Sequence, residues 1–276
     1  MWDRKYGTSL AAAAILLPGV GTMPSVQPPL PFVPGERITY RVQINGLGNI
    51  GRATMSVEGP IDVRGTATYL LRSKTNAGIG PLKGSELTES WLDPVAMASL
   101  RFHERQRRFL STHNLRVEIY PDDERWTNTE GGSGQTATTT PLDELSFIYF
   151  LRSLPTSPDT TYQFNRHYDA ERNPISVRVT RGDTMTTPAG IFNTVLMEMH
   201  VRDPRRYRGD GVIRVYLSDD RCRIPVRVES TVPRVGSFVL TLDSYSNPAP
   251  GCSVGQQSRD RSAPVAPTIS PGLTIQ

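Results

Sequence analysis

The feature that most constrains this chain is a two-residue alternation of apolar and polar side chains. Ile38, Tyr40, Val42 and Ile44 alternate with Arg37, Thr39, Arg41 and Gln43. Successive side chains of an extended backbone point to opposite faces, so this stretch is a strand with one buried face and one wet face. Gly46-Leu47-Gly48 turns the chain into a second strand carrying Ala53, Met55 and Val57. The pattern returns at Leu115, Val117 and Ile119, at Ile175, Val177 and Val179, and at Ile213, Val215 and Leu217. It returns again at Val226 and Val228 and at Phe238, Leu240 and Leu242. Mixed runs at 66–75, 87–92, 99–108 and 193–201 also read as strands, with Gly, Pro, Asp and Asn in the turns between them. About twelve short strands with tight connections imply antiparallel pairing. The fold class is therefore mainly β and antiparallel. The sheet is also expected to be strongly curved.

One segment departs from the alternation. Thr140-Pro141-Leu142-Asp143 opens a run that Pro155 ends. Thr140 is placed as an N-cap, Pro141 as the first helical residue and Asp143 as a capping-box acid. This predicts a helix over 141–154, about 21 Å long at 1.5 Å per residue. Leu142, Leu145, Phe147, Ile148, Phe150, Leu151 and Leu154 cover most of its circumference. A helix that is apolar nearly all round is buried on most sides. It is expected to cover part of the concave face of the curved sheet and to leave an apolar groove beside it. Met55, Trp91, Phe164, Met197 and Met199 are the expected liners, and Met suits adaptable contact with a flexible ligand. The competing expectation is that these side chains pack on the helix as a closed core.

The two ends of the chain have a different character. Arg4 and Lys5, an apolar run from Ser9 to Leu17 and the small residues Gly21 and Thr22 follow the order of a secretory signal over 1–24. No Cys follows that run to carry a lipid anchor, and no stretch supplies the roughly 20 apolar residues of a transmembrane span. A Pro-rich linker over 25–34, one β-rich domain over 35–246 and a disordered tail over 247–276 complete the expected organisation. The expected location is the periplasm or cell envelope. Cys222 and Cys252 are the only cysteines. In an oxidising compartment they are expected to form a disulfide. The hairpin of 226–231 and 237–245 would bring the tail back to Cys222.

Charge and chemistry narrow the function less. Lys plus Arg is 31 against 27 Asp plus Glu, and only Lys5, Lys74 and Lys83 are lysines. The basic residues are spread along the strands rather than clustered, so nucleic acid is not an expected partner. Arg101, His103, Arg105 and Arg107 share one face of a strand, which suits either a solvated face or an anionic head group. His103, His113, His167 and His200 have no metal-ligand spacing, and no phosphate loop, dinucleotide fingerprint or Gly-x-Ser-x-Gly elbow is present. No cofactor and no metal are expected. Arg-Gly-Asp at 181–183 and 208–210 is a common product of an arginine-rich, turn-rich chain.

Several local patterns together resemble a known family. They are Phe32-Val33-Pro34-Gly35-Glu36, Asp143-Glu144-Leu145 with Leu151-Arg152, and Thr187-Pro188-Ala189-Gly190-Ile191-Phe192. Leu217-Ser218-Asp219-Asp220 leading to Pro225-Val226, then Gly236 and Leu240, complete the set. The chain resembles the exported bacterial family known as domain of unknown function 3108. That resemblance implies the strong curvature of the sheet, a half-open barrel with a helix across its concave side, similar to the periplasmic lipoprotein carriers. It implies no reaction. The expected role is a non-enzymatic envelope protein that binds a hydrophobic or lipid-like ligand, or another envelope protein, in its concave face. The alternatives are a hydrolase or metal-dependent enzyme whose site assembles from distant residues, and a purely structural β-domain.

Overall fold

The computed structural model describes residues 29–44, 46–80, 82–108, 111–202, 210–232 and 236–252. The expected signal segment lies outside them. From β1 (Arg37–Ile44) the chain meanders through β2 (Gly48–Val63), β3 (Thr66–Ile79), β4 (Leu82–Asp93), β5 (Ala98–Arg108), β6 (Ser111–Tyr120), β7 (Arg125–Asn128) and β8 (Ser133–Gln135). It then crosses the molecule through the helix α1 (Glu144–Leu151). The return path is β9 (Thr161–Phe164), β10 (Ile175–Arg181), β13 (Thr194–Arg202), β14 (Asp210–Ser218), β15 (Pro225–Val232) and β16 (Gly236–Ser246). A small separate hairpin, β11 (Met185–Thr187) with β12 (Gly190–Phe192), interrupts that return.

These strands form one 14-stranded antiparallel sheet in the order β8-β7-β6-β5-β4-β3-β2-β1-β16-β15-β14-β13-β10-β9. The strand β1 sits near the middle, between β2 and β16. The edge strands β8 and β9 do not pair with each other among the described residues, so the curved sheet is not closed. The seam is instead bridged by the crossing segment. Ser99 N–H donates to Pro141 O on one side, and Leu142 exchanges backbone bonds with Arg166 and Tyr168 on the other.

The helix is shorter than its sequence pattern predicts. It spans 144–151, and its N-cap is Asp143 rather than Thr140. The Asp143 carboxylate accepts from the N–H groups of Leu145 and Ser146, while the Ser146 hydroxyl accepts from Asp143 N–H. Those local bonds start the helix, whereas Pro141 and Leu142 are held out of it by the seam bonds. Eight residues give about 12 Å of helix rather than about 21 Å. Leu145, Phe147, Tyr149, Phe150 and Leu151 are all buried, as expected for a helix without a polar face.

Strand registers define two ends. The end at which β1 starts and β16 finishes is closed by α1, by the β11–β12 hairpin through Phe192 on Tyr245, and by the Cys222–Cys252 disulfide. Among the described residues the opposite end, where β1 finishes and β16 starts, carries no such closure; it is the open end. The packed unit reaches past the expected bounds of 35–246. Phe32, Ala249 and Cys252 are buried in the core cluster, and Asn247 Nδ2 donates to Pro31 O.

Candidate functional site

The inner face of the sheet changes character from row to row. Nearest the closed end, Val57, Leu71, Ser90, Phe102 and Val117 lie side by side on β2 to β6. The next row is Met55, Ser73, Thr88, Glu104 and Leu115, and the row beyond is Ala53, Thr75, Glu86, Gln106 and His113. The apolar alternation thus persists on β2 but gives way to polar side chains on β3, β4 and β5. The other half of the sheet stays apolar. Val179, Met197, Val215, Val228, Leu240 and Val42 form one continuous inner row across β10, β13, β14, β15, β16 and β1.

Because α1 is short, the polar rows are left uncovered beside its first turn. A cleft of about 310 Å³ lies there, lined by Glu86, Thr88, Phe102, Glu104, Gln106, Arg108, His113, Leu115, Glu144, Tyr168 and Arg172. Its floor is apolar. Phe102, Leu115 and Tyr168 belong to a small second core with Val117 and Ile119, closed at the back by Trp126 against Tyr168. Its walls are polar. Gln106 donates to Glu104, and Arg108 donates to Gln106. Glu144, at the first position of α1, accepts from Arg172, with His167 Nε2 3.5 Å away. Asp169 N–H donates to His167 Nδ1, so the ring proton sits on Nε2, facing Glu144. Desolvation pushes the Glu144 carboxyl up, but His167 and Arg172 outweigh it and hold the group below the usual carboxylate range. The second carboxylate oxygen, Glu144 Oε2, is buried without a hydrogen-bond partner among the described residues.

Two buried polar clusters fix the ends of α1. At its start, Asp143 contacts Ser90 and Ser99, and burial pushes its carboxyl up to about 6 against the opposing Ser146 N–H and Ser90 hydroxyl. At its finish, Arg152 forms a two-point pair with Glu36 at 2.6 and 2.7 Å, both side chains 0% exposed. The same guanidinium donates to Pro31 O and Cys222 O. Neither cluster lines the cleft; they set where the helix begins and stops.

Of the five residues expected to line an apolar groove, four join one packed core and the fifth, Trp91, lies apart from it. Met55, Met197 and Met199 are buried in the main core, with Met197 at 0% exposure. Phe164 packs edge-on to Phe147 and Phe150 of the helix. Trp91 lies on the outer face, in one row with Leu70, Arg101 and Glu118, with the Arg101 guanidinium 5.5 Å from its ring. The cleft residues Glu86, Glu104, Glu144, Tyr168 and Arg172 were not anticipated from the sequence. One signal was present: in Gly84-Ser85-Glu86-Leu87-Thr88-Glu89-Ser90 only Leu87 is apolar, so neither parity supplies an apolar strand face. Cys222 and Cys252 do form the expected disulfide, with their Cα atoms 5.4 Å apart. The expected pairing of the hairpin around 226–245 is also present as β15 with β16. Among the described residues no three His, Cys, Asp or Glu converge as a metal-binding group.

The arginine stripe on β5 divides in two. Arg101 pairs with Glu118, and His103 sits between Glu89 and Asn114. Glu89 also accepts from Arg72, which pairs with Glu58, so this part of the outer face is a charge ladder across β2 to β6. Arg105 and Arg107 lie beyond the ladder, toward the open end.

No curated protein matches the chain in sequence. It is similar in structure to a β-barrel-like protein of the domain of unknown function DUF1849 from Brucella abortus, at 12% identity and a TM-score of 0.49, over 80% of this chain and 98% of that one. It is also similar to a candidate exported protein with a YmcC-like fold from Bacteroides fragilis, at 12% identity and a TM-score of 0.29, over 79% and 98%. A candidate lipoprotein from Parabacteroides distasonis matches at 10% identity and a TM-score of 0.30, over 79% and 97%. The sequence profile described as protein of unknown function (DUF3108) matches residues 39–243, essentially the whole sheet, and the chain belongs to that family.

Proposed function

We propose that this is an exported, non-enzymatic binding protein whose concave face, beside α1, takes an amphipathic, lipid-like molecule. The observation that carries the reading is the cleft beside α1, with an apolar floor of Phe102, Leu115 and Tyr168 under walls of opposite charge. Specific small-molecule sites combine apolar surface with a few convergent polar groups in this way. Glu86 and Glu104 put carboxylates on the cleft wall, of a sign that suits a cationic or hydroxylated head, and Arg108 puts a guanidinium there, which suits an anionic one. On the other half of the sheet, the half-buried Ile213, Val228, Phe238 and Leu240 extend the apolar inner face that an acyl chain would follow. This differs from a purely apolar groove: the ligand must carry a polar group. Export is supported by the Cys222–Cys252 disulfide, which belongs to an oxidising compartment. No helix among the described residues is long and apolar enough to cross a membrane.

The test uses the fluorescent probe N-phenyl-1-naphthylamine. It should bind saturably and be displaced by lysophosphatidylethanolamine more readily than by an alkane of equal chain length. Thr88→Trp places an indole in the cleft and should weaken probe binding tenfold or more, about 1.4 kcal/mol, with an unchanged unfolding midpoint. Non-saturable binding, or equal affinity in Thr88→Trp, would remove the reading. Native mass spectrometry of protein from its own host would identify the ligand.

A further inference from the structure

The outer face of β2 to β5 has a polarity along the strands. Near the closed end, basic side chains are neutralised across the sheet: Arg101 by Glu118, and Arg72 by Glu58 and Glu89. Toward the open end the acids stop. Arg52, Lys74, Lys83, Arg105 and Arg107 are all exposed, and none makes an ion pair among the described residues. The registers bring them together: Lys74 and Arg105 both flank Leu87, Arg107 faces Ser85, Lys83 faces Gly78, and Arg52 faces Asn76. Both lysines of the described chain lie in this patch.

The rim of the same end carries exposed apolar side chains. Leu47, in the turn between β1 and β2, is 59% exposed, and Ile79, at the end of β3, is 47% exposed. At the same end is a recess of about 430 Å³ lined by Ile50, Ala77, Lys83, Arg107 and Arg108 among others. An apolar tip projecting from a basic surface matches the boundary of an anionic bilayer, where the tip enters the acyl layer and the cations meet the head groups.

We propose that the open end docks on an anionic lipid surface, with Leu47 and Ile79 entering the bilayer and Arg52, Lys74, Lys83, Arg105 and Arg107 held at the head groups. Charge complementarity selects the occupant, and the exposed apolar tips favour a bilayer over a nucleic acid, whose backbone has no apolar layer to receive them. The proposal does not rest on the cleft being a ligand site, because the patch lies on the outer face and the rim.

The experiment is co-sedimentation of the disulfide-intact protein with sucrose-loaded vesicles. It should bind vesicles of phosphatidylcholine containing one-third phosphatidylglycerol and not vesicles of phosphatidylcholine alone. Binding should weaken as added salt shortens the screening length from about 10 Å to about 3 Å. A basic residue near an anionic surface contributes about fivefold in partitioning, so Lys83→Gln with Arg107→Gln should lower it about 25-fold. Leu47→Ser with Ile79→Ser should remove the part that survives high salt. Both pairs are exposed, so equal unfolding midpoints serve as the fold control. Absence of binding to the anionic vesicles, or equal binding by the Gln pair, would overturn the proposal. Tighter binding to duplex DNA than to vesicles, insensitive to the Leu47 and Ile79 changes, would overturn it as well.

Discussion

Replacing Arg152 by Met is expected to be among the most damaging single changes available in this fold. The side chain is 0% exposed, as is its partner Glu36, and its guanidinium donates to both Glu36 oxygens and to two carbonyls. Removing one member of a buried pair leaves the other charge in a dry interior without compensation, which costs about 3–5 kcal/mol. For a domain of this size each kcal/mol lowers the melting temperature by about 2–4 °C, so the expected drop is roughly 6–20 °C. Glu36→Leu should cost a similar amount for the converse reason. The double change should be milder than either single one. Pro31 O keeps the Asn247 amide as a donor, leaving Cys222 O as the main orphaned acceptor, at about 1–3 kcal/mol. Among the described residues Arg152 Nε is buried without a hydrogen-bond partner, which lowers what the native pair contributes. Urea unfolding of the wild type, both single variants and the double variant, all with the disulfide intact, measures the cycle. Single changes costing under about 1 kcal/mol, or a double change equal to their sum, would refute the reasoning.

Three further outcomes follow from the same geometry. The folded Asp143 carboxyl is raised to about 6 from 3.8, so the native state binds the extra proton and this group adds stability below pH 4 that is lost as pH rises through 6. Asp143→Asn should therefore gain on the wild type by up to about 3 kcal/mol between pH 4 and pH 7, read from urea midpoints at the two values; a pH-independent difference would contradict it. Replacing both Cys222 and Cys252 by Ser should cost about 3.5 kcal/mol, from opening a loop of about 30 residues, seen as a lowered urea midpoint; an unchanged midpoint would count against it. Met197→Arg buries an unpaired charge in a fully enclosed site and should give no folded protein by near-ultraviolet circular dichroism; a folded variant with a wild-type midpoint would show an open groove at that position.

The legibility of this fold in its sequence follows from how local each signal is. Ile38, Tyr40 and Val42 announce a strand because alternation needs no knowledge of the partner. The disulfide was legible because two cysteines allow one pairing. The helix start was misplaced because Thr140-Pro141 is a sound local N-terminus, and only the bonds of Pro141 to Ser99 and of Leu142 to Arg166 and Tyr168 hold those two residues out of the helix. These partners lie far away in sequence. The cleft was hidden for a related reason. Glu86, Glu104 and Gln106 each look like ordinary wet-face residues, and they turn inward because the register set by Leu71, Ser90 and Phe102 leaves no other face for them. Trp91 was misread for the converse reason: a large aromatic suggests a core, but its parity sends it outward to stack on Arg101.

The clasp at Arg152 also has a mechanical meaning. The sheet begins and ends on neighbouring strands, with Arg37 opposite Ser246, and the flanking segments leave on the same side. With the Cys222–Cys252 disulfide reduced, a pull between those two segments would act across β1 and β16 at their common end, parting their hydrogen bonds one after another rather than shearing them together. Before the first of these is loaded, the pull must break the contacts that tie Pro31, Glu36 and Asn247 to one another and to the helix. The domain should therefore yield in two stages, a stiff initial event at the clasp followed by easy unzipping. Its open end lies at the far side of the molecule from that load.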